Sequence, residues 1–485
     1  MKRTAQTQEA PLGAAAPSTP SVRWALAGLS LSMLLSSLGT SVANVALPTL
    51  TQAFGATFQQ AQWVVLAYLL AITSSIVGVG RLGDLLGRRR ALRAGLLLFT
   101  GASVAGGVAP TLGLVIVARA AQGIGAAAMM ALTMAFVGDL VPKERTGSAM
   151  GLLGTTSAIG TALGPSLGGG LIALMGWRAI FFVTVPLGLV ALALAQRTLP
   201  ADRAASEARR VGFDHLGTLL LALTLAAYAL AMTLGRGHFG GLNLALLIAA
   251  VVGVALFVRA ESRVSSPLIR LAMFRDAALS ASLAANLLVS AVVMATLVVG
   301  PFYLALAHGL DAAAVGVVLS VGPLVAALAG APSGRAVDRF GASVAAFVGL
   351  GGVAAGTLAL SIIPESLGVA GYLVPIAVVT AGYALFQAAN NTAVMRDVSQ
   401  DSRGVVSATL TLSRNLGLIT GASVMGAVFA LATGTSELTA ASPAAVASGM
   451  RVTFGVAATL VMAALAVVAA GRALGARRSA AQVEQ

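Results

Sequence analysis

Apolar, charge-free runs recur along the chain from Trp24 to Gly471, separated by short clusters rich in Gly, Pro, Asn and charged residues. A helix crosses a hydrocarbon core of roughly 30 Å in about 20 residues, so runs of that length predict membrane spans. Ala94 to Gly138 contains one charge, Arg119. At about 1.5 Å per residue it is too long for a single crossing, and Gly106-Gly107-Val108-Ala109-Pro110 supplies the turn that divides it. Continued along the chain, the pattern predicts fourteen spans near 22–47, 61–80, 92–109, 112–137, 147–174, 179–196, 216–234, 243–260, 279–305, 312–332, 342–362, 370–393, 404–431 and 450–471.

Loop charge tests the count, because cytoplasmic loops of membrane proteins hold excess Lys and Arg. With both termini included, 25 of the 30 basic residues fall on one side of the alternation, against Arg178, Arg236 and Arg451 on the other. An even number of spans with both ends cytoplasmic is expected, in a cytoplasmic (inner) membrane. Residues 1–21, rich in Ala, Pro, Ser and Thr, read as a disordered cytoplasmic tail, and 473–485 as a second.

Composition narrows the function. Of 485 residues, 58% are hydrophobic and 9% charged, against a charged share of about 25% in soluble domains. Cysteine is absent and the three histidines, His215, His238 and His308, are far apart, so thiolate chemistry is excluded and no metal or cofactor is expected. The net charge of +14 is dispersed over alternating loops rather than gathered on one face, which argues against nucleic acid. No G-x-x-x-x-G-K-[ST] phosphate loop occurs. A membrane-embedded enzyme, the remotest alternative, would need a catalytic acid, His or Lys at membrane depth, and none is placed there.

The chain repeats itself. Gly80-Arg81-Leu82-Gly83-Asp84-Leu85-Leu86-Gly87-Arg88 follows span two and Gly334-Arg335-Ala336-Val337-Asp338-Arg339-Phe340-Gly341 follows span ten; both contain G-x-x-x-D-x-x-G. Asp139 and Arg145 after span four match Asp397 and Arg403 after span twelve. The offsets are 254 and 258 residues, so a six-helix unit is duplicated in parallel orientation, as in many secondary transporters. The expected division is an N-terminal bundle over 22–197, linkers with two extra spans over 198–276, and a C-terminal bundle over 277–472. A carboxylate in such a turn is attracted to the positive end of a neighbouring helix. Asp84 is expected near Gly404, Arg88 beside Asp139, and Asp338 near Gly147, forming gates between spans. The copies differ at Ala342, where the first has Arg88, so the two gates are not expected to be equivalent.

Polar residues within spans face the bundle interior or a wet cavity, and their spacing identifies the face. Ser37, Thr40, Ser41 and Asn44 form one stripe on span one. Asn286 in span nine, Tyr383, Gln387, Asn390 and Asn391 in span twelve, and Arg414 with Asn415 in span thirteen offer further candidates for a substrate and coupling cavity. Arg119 and Gln122 in span four join them. Small residues at helical spacing let neighbours approach, which describes Gly160, Gly164 and Gly168 in span five, while Pro165 bends that helix.

These residues resemble the major facilitator superfamily, and its fourteen-span drug:proton antiporter branch in particular. The loop Gly80 to Arg90 is similar to the superfamily's motif after its second helix, and Arg119-Ala120-Ala121-Gln122-Gly123-Ile124-Gly125 to R-x-x-Q-G-x-G. Gly160-Thr161-Ala162-Leu163-Gly164-Pro165-Ser166-Leu167-Gly168-Gly169 resembles the G-x-x-x-G-P-x-x-G-G antiporter motif, and Gln62-Trp63, Tyr68, Asn44 to Pro48 and Gly176-Trp177-Arg178 also match the branch. The resemblance implies two six-helix bundles plus an inserted two-helix hairpin. It also implies export of small amphipathic or drug-like compounds by alternating access, driven by protons, in a functional monomer. One departure bears on mechanism. The branch commonly carries an acid five residues before the asparagine of N-V-A-L-P, where this chain has Gly39, and none of its sixteen Asp and Glu residues lies mid-span. An organic-anion uptake symporter is the alternative consistent with two mid-span arginines and no mid-span acid.

Overall fold

The computed structural model describes residues 20–141, 143–202, 215–234, 240–264, 271–395, 403–434 and 441–483. The described elements are helical throughout. Helices α1 (Pro20–Phe54), α2 (Phe58–Leu86), α3 (Arg88–Val108), α4 (Leu112–Leu140), α5 (Lys143–Met175) and the pair α6 (Ala179–Phe182) and α7 (Thr184–Thr198) build the first half. Helices α8 (His215–Thr233) and α9 (Gly241–Glu261) follow. The second half contains α10 (Ala277–Phe302), α11 (Ala312–Ile362), α12 (Gly368–Met395), α13 (Arg403–Thr420), α14 (Gly426–Thr433) and α15 (Pro443–Val483).

Eleven of the described helices are long and apolar enough to cross a membrane. The longest, α11, spans 51 residues in two helical arms that meet at Gly341, whose backbone is not helical, so each arm carries one of the expected spans. The remaining expected spans fall on α2 and α5. Several helices outrun the apolar runs that predict them. α1 continues through Pro48 to Phe54 because Leu47 and Leu50 are fully buried and reward the extra turns. α15 continues to Val483, so most of the expected C-terminal tail is helical. Local chemistry sets the starts: Thr57 and Gln60 form a reciprocal capping box on α2, while Asp276 and Asp311 cap α10 and α11.

Helix direction alternates, so both described ends of the chain lie at one end of the bundle, the terminal end. The largest hydrophobic cluster among the described residues runs through both halves, and at the opposite, distal end its aromatic side chains join them. Phe58 of α2 meets Phe302 of α10 edge-on at 4.8 Å and Phe429 of α14 at 5.5 Å. Gln62 donates from α2 to the carbonyl of Ala422 at 2.8 Å, in the π-helical turn between α13 and α14. The α8–α9 hairpin sits on the outside. α8 rests against α2, where Trp63 Nε1 donates to Thr233 at 3.1 Å, and the more exposed α9 is tied back by Asn243 Nδ2 to the carbonyl of Ala231 at 2.7 Å.

Candidate functional site

Arg119 belongs to an apolar helix, so its charge must find partners inside the protein. On α4 it is 1% exposed. Its Nε donates to the carbonyl of Val64 at 2.9 Å, Nη2 to that of Gly39 at 2.7 Å, and Nη1 to Oε1 of Gln122 at 2.9 Å. The guanidinium lies 4.0 Å from the centre of the Tyr68 ring, a cation–π contact strengthened by exclusion of water. Gln122 passes the network on, donating to Ser103 at 2.7 Å, which also receives the Thr184 hydroxyl at 3.0 Å. One buried cation thus ties α1, α2, α3, α4 and α7 together through neutral acceptors.

The same geometry explains Gly39. A Cβ there would stand 2.7 Å from the Tyr68 hydroxyl and 3.1 Å from its Cζ. The Tyr68 hydroxyl donates to the carbonyl of Ser36 at 2.7 Å. The Tyr68 phenol therefore fills the space into which a side chain at position 39 would point.

Ser37 and Ser41 of the α1 stripe turn toward α5. Ser37 and Ser157 share a hydrogen bond of 2.6 Å, Ser41 donates to the carbonyl of Gly160 at 3.4 Å, and Asn44 donates to the carbonyls of Thr40 and Ser41 at 3.2 and 3.3 Å. Ser37, Ser41 and Asn44 are buried, and Thr40 is half-buried. The glycines of α5 permit this seam: a Cβ at Gly160 would stand 2.5 Å from the carbonyl of Leu34, one at Gly164 would collide with Ser41, and one at Gly168 would stand 3.0 Å from Val42. The adjacent Pro165 and Gly169 face the other half. A Cβ at Gly169 would lie 2.5 Å from the carbonyl of Ala312 and 2.8 Å from Cα of Gly316, and one at Gly316 would lie 2.6 Å from the carbonyl of Pro165. The motif therefore packs α5 against α1 on one side and against α11 across the halves on the other.

The candidates of the second half divide by exposure. Asn286 is buried and donates to the carbonyl of Leu410 at 3.1 Å, joining α10 to α13. Asn390 and Asn415 are buried as well. Tyr383 and Gln387 are half-buried and bonded to one another at 2.7 Å, Asn391 is exposed, and so is Arg414. The two mid-span arginines thus have opposite surroundings: Arg119 is sealed by protein, and Arg414 is open.

At the terminal end the first repeated turn is completed by a residue that the motif does not contain. Gly87 has φ of 100°, a region open to glycine and costly for other residues, and α3 starts from it. Asp202, beyond α7, accepts from the backbone N–H of Arg89 at 2.8 Å and of Arg90 at 3.1 Å. Any side chain at Gly87 would strike that carboxylate. Gly80 leaves 3.9 Å to Ala131, while Gly334 and Gly341 open onto empty space. Arg88 is half-buried and Asp338 exposed. The side chains of Asp84, Asp139, Arg145 and Arg403 lie outside the described residues, as does Asp397 altogether, and with them the expected gate pairs. Sequence reasoning did not single out Asp202 or the Gln62–Ala422 bond. The glycine that ends the motif was the available signal for the first, since it leaves room for a foreign cap.

A sequence model of the Major Facilitator Superfamily matches residues 29–422. The chain is 31% identical to the uncharacterized transporter YebQ of Escherichia coli over 80% of its own length and 85% of that protein's. It is 33% identical to the multidrug resistance protein Stp of Mycobacterium tuberculosis over 83% of its length and 74% of Stp. In fold it is similar to a bacterial homolog of the human lysosomal transporter Spinster in an inward-facing, unoccupied conformation. The TM-score is 0.68 at 17% identity, covering 94% of this chain and 98% of that one.

Proposed function

Since the chain belongs to the Major Facilitator Superfamily of transporters, and is no enzyme, we propose that it exports small amphipathic or drug-like compounds by alternating access driven by the proton gradient. In this reading the two six-helix halves rock about a path between them, both termini face the cytoplasm, and the monomer is the working unit. The closed distal end is then the extracellular side. The resemblance of the α5 motif to the antiporter pattern and the likeness to Stp support the direction of transport. The terminal-end loops with Asp84, Arg88, Asp139, Asp338, Asp397 and Arg403 are the proposed cytoplasmic gates.

The observation that carries the reading of the path is Arg414. A charge in the middle of a span costs about 2.5–3.5 kcal/mol on insertion scales unless it meets protein or water, and Arg414 is exposed. An aqueous path along α13 accounts for it. Tyr383, Gln387 and Asn391 add hydrogen-bonding groups on α12. Without a mid-span carboxylate, Arg414 disfavours a lipophilic cation by like charge, so neutral or anionic compounds are the proposed substrates. The same feature favours a second reading, uptake of an organic anion by symport. Proteoliposomes with an imposed pH gradient separate the two: an outward-directed substrate flux driven by inward protons supports export, and substrate accumulating in the direction of the proton flux supports symport.

A further inference from the structure

The two halves meet at the distal end around a local irregularity of the second. Between α13 and α14 the helix widens into a π-helical turn over Gly421–Met425, a form that is rare and concentrates at functional sites. Gln62 of α2 donates to the carbonyl of Ala422 within that turn at 2.8 Å. The space for it exists because residue 426 is glycine: any side chain there would strike Nε2 of Gln62. This direct contact is an incomplete lock. Oε1 of Gln62 is buried without a partner among the described residues, and a buried unpaired acceptor offsets much of what the donated bond contributes.

A second connection across this junction comes from the inserted hairpin. α8 touches both α2 and the π-helical turn. Its Thr233 accepts from Nε1 of Trp63, the neighbour of Gln62, at 3.1 Å. Its Tyr228 hydroxyl lies against the side chains of Thr420 and Ser423, which flank Ala422 in the chain. Leu221 and Leu225 of α8 belong to the apolar cluster that runs through both halves, and Ala229 and Ala231 are fully buried. α8 therefore bridges the same junction as Gln62, with one polar anchor on each half. The halves cannot part there without stripping α8 from one of them.

We infer that the inserted hairpin is a strut for the distal closure, with Thr233 anchoring α8 to the first half and Tyr228 to the second, so that the closed end opens only when one anchor lets go. This role presupposes the alternating access proposed above, and the experiment separates the two. Full-length protein is spin-labelled at Gln52→Cys and Ala444→Cys, exposed at the distal ends of α1 and α15, and pulsed electron spin resonance reads the open-to-closed ratio. Thr233→Val and Tyr228→Phe each remove one anchor. Both spare the fold, because the substitutions keep the shape and the hydroxyls of Thr420 and Ser423 still donate to carbonyls of their own helix. Each should raise the ratio about 2- to 10-fold, the range of one net hydrogen bond. Opening needs only the weaker anchor to break, so the double variant should open no further than the more effective single, whereas independent contacts would multiply. Thr224→Val, where α8 meets Gly253 of α9, removes a hydroxyl without a partner among the described residues and should change nothing. Gly169→Ala, whose Cβ presses on the backbone of Ala312 and Gly316, is the reference for opening. Longer distances in Gly169→Ala but in neither α8 single variant overturn the strut and leave alternating access standing. Ratios that multiply in the double variant also overturn the strut, and distances unchanged in every variant overturn both.

Discussion

Replacing Gly169 by alanine should shift the balance between the two states of the transporter rather than unfold it. The added Cβ would stand 2.5 Å from the Ala312 carbonyl and 2.8 Å from Cα of Gly316, where ordinary contact begins at 3.4 Å. Both obstacles are backbone, so α5 and α11 must separate by about 0.9 Å, an overpacking that costs about 1–3 kcal/mol. The strain exists only while the distal ends of the halves touch, so a state with that end open escapes it. A bias of that size changes the ratio of states by roughly 5- to 150-fold. The chain has no cysteine, so Gln52→Cys on α1 and Ala444→Cys on α15, both exposed at the distal end, accept spin labels specifically. Distance distributions by pulsed electron spin resonance should move to longer separations in Gly169→Ala. Gly170→Ala, whose Cβ meets nothing within 4 Å, should leave them unchanged. An unaltered distribution in Gly169→Ala, with the protein folded, would show that the α5–α11 contact does not set the balance of states.

Gly39→Asp, which installs the acid of the related branch, should destabilise the chain because the Tyr68 hydroxyl occupies its space. Tyr68→Phe removes that nearest atom, so in a double-mutant cycle by thermal unfolding the pair should be less destabilised than the sum of the singles by at least about 0.5 kcal/mol; additivity would show that the two sites do not compete for space. Asp202→Ala should cost about 0.5–2 kcal/mol through loss of the cap on α3, whereas Asp202→Asn, able to accept one of the two amide bonds, should lose less. Equal melting temperatures for wild type and Asp202→Ala would contradict the capping role.

The spans were legible because a run of about 20 apolar residues has few soluble explanations, and the duplication because two motifs recur at nearly one offset. The bend at Gly341 was legible as a span boundary, and the two arms of α11 meet there on a non-helical backbone. What sequence does not contain is which side of a helix meets which neighbour. Arg119 and Arg414 look alike along the chain, yet Arg119 is enclosed because Gly39, Val64 and Tyr68 arrive from α1 and α2, while Arg414 is exposed among the described residues. The α1 stripe reads equally as a path lining or as a seam, and its partners on α5, 120 residues away at Ser37 and Ser157, decide where it points. Asp202 reads as part of a solvated linker until the empty face of Gly87 is seen beside it.

In the proposed mechanism Arg414 supplies the exposed charge of a path for neutral or anionic compounds. Its most direct test is transport by wild type and Arg414→Gln in proteoliposomes under one imposed pH gradient, with matched anionic, neutral and permanently cationic dyes. Wild type should move the quaternary ammonium dye least, and Arg414→Gln should lose anion transport while remaining folded. Robust transport of the quaternary ammonium dye by wild type, unaffected by the substitution, would contradict it.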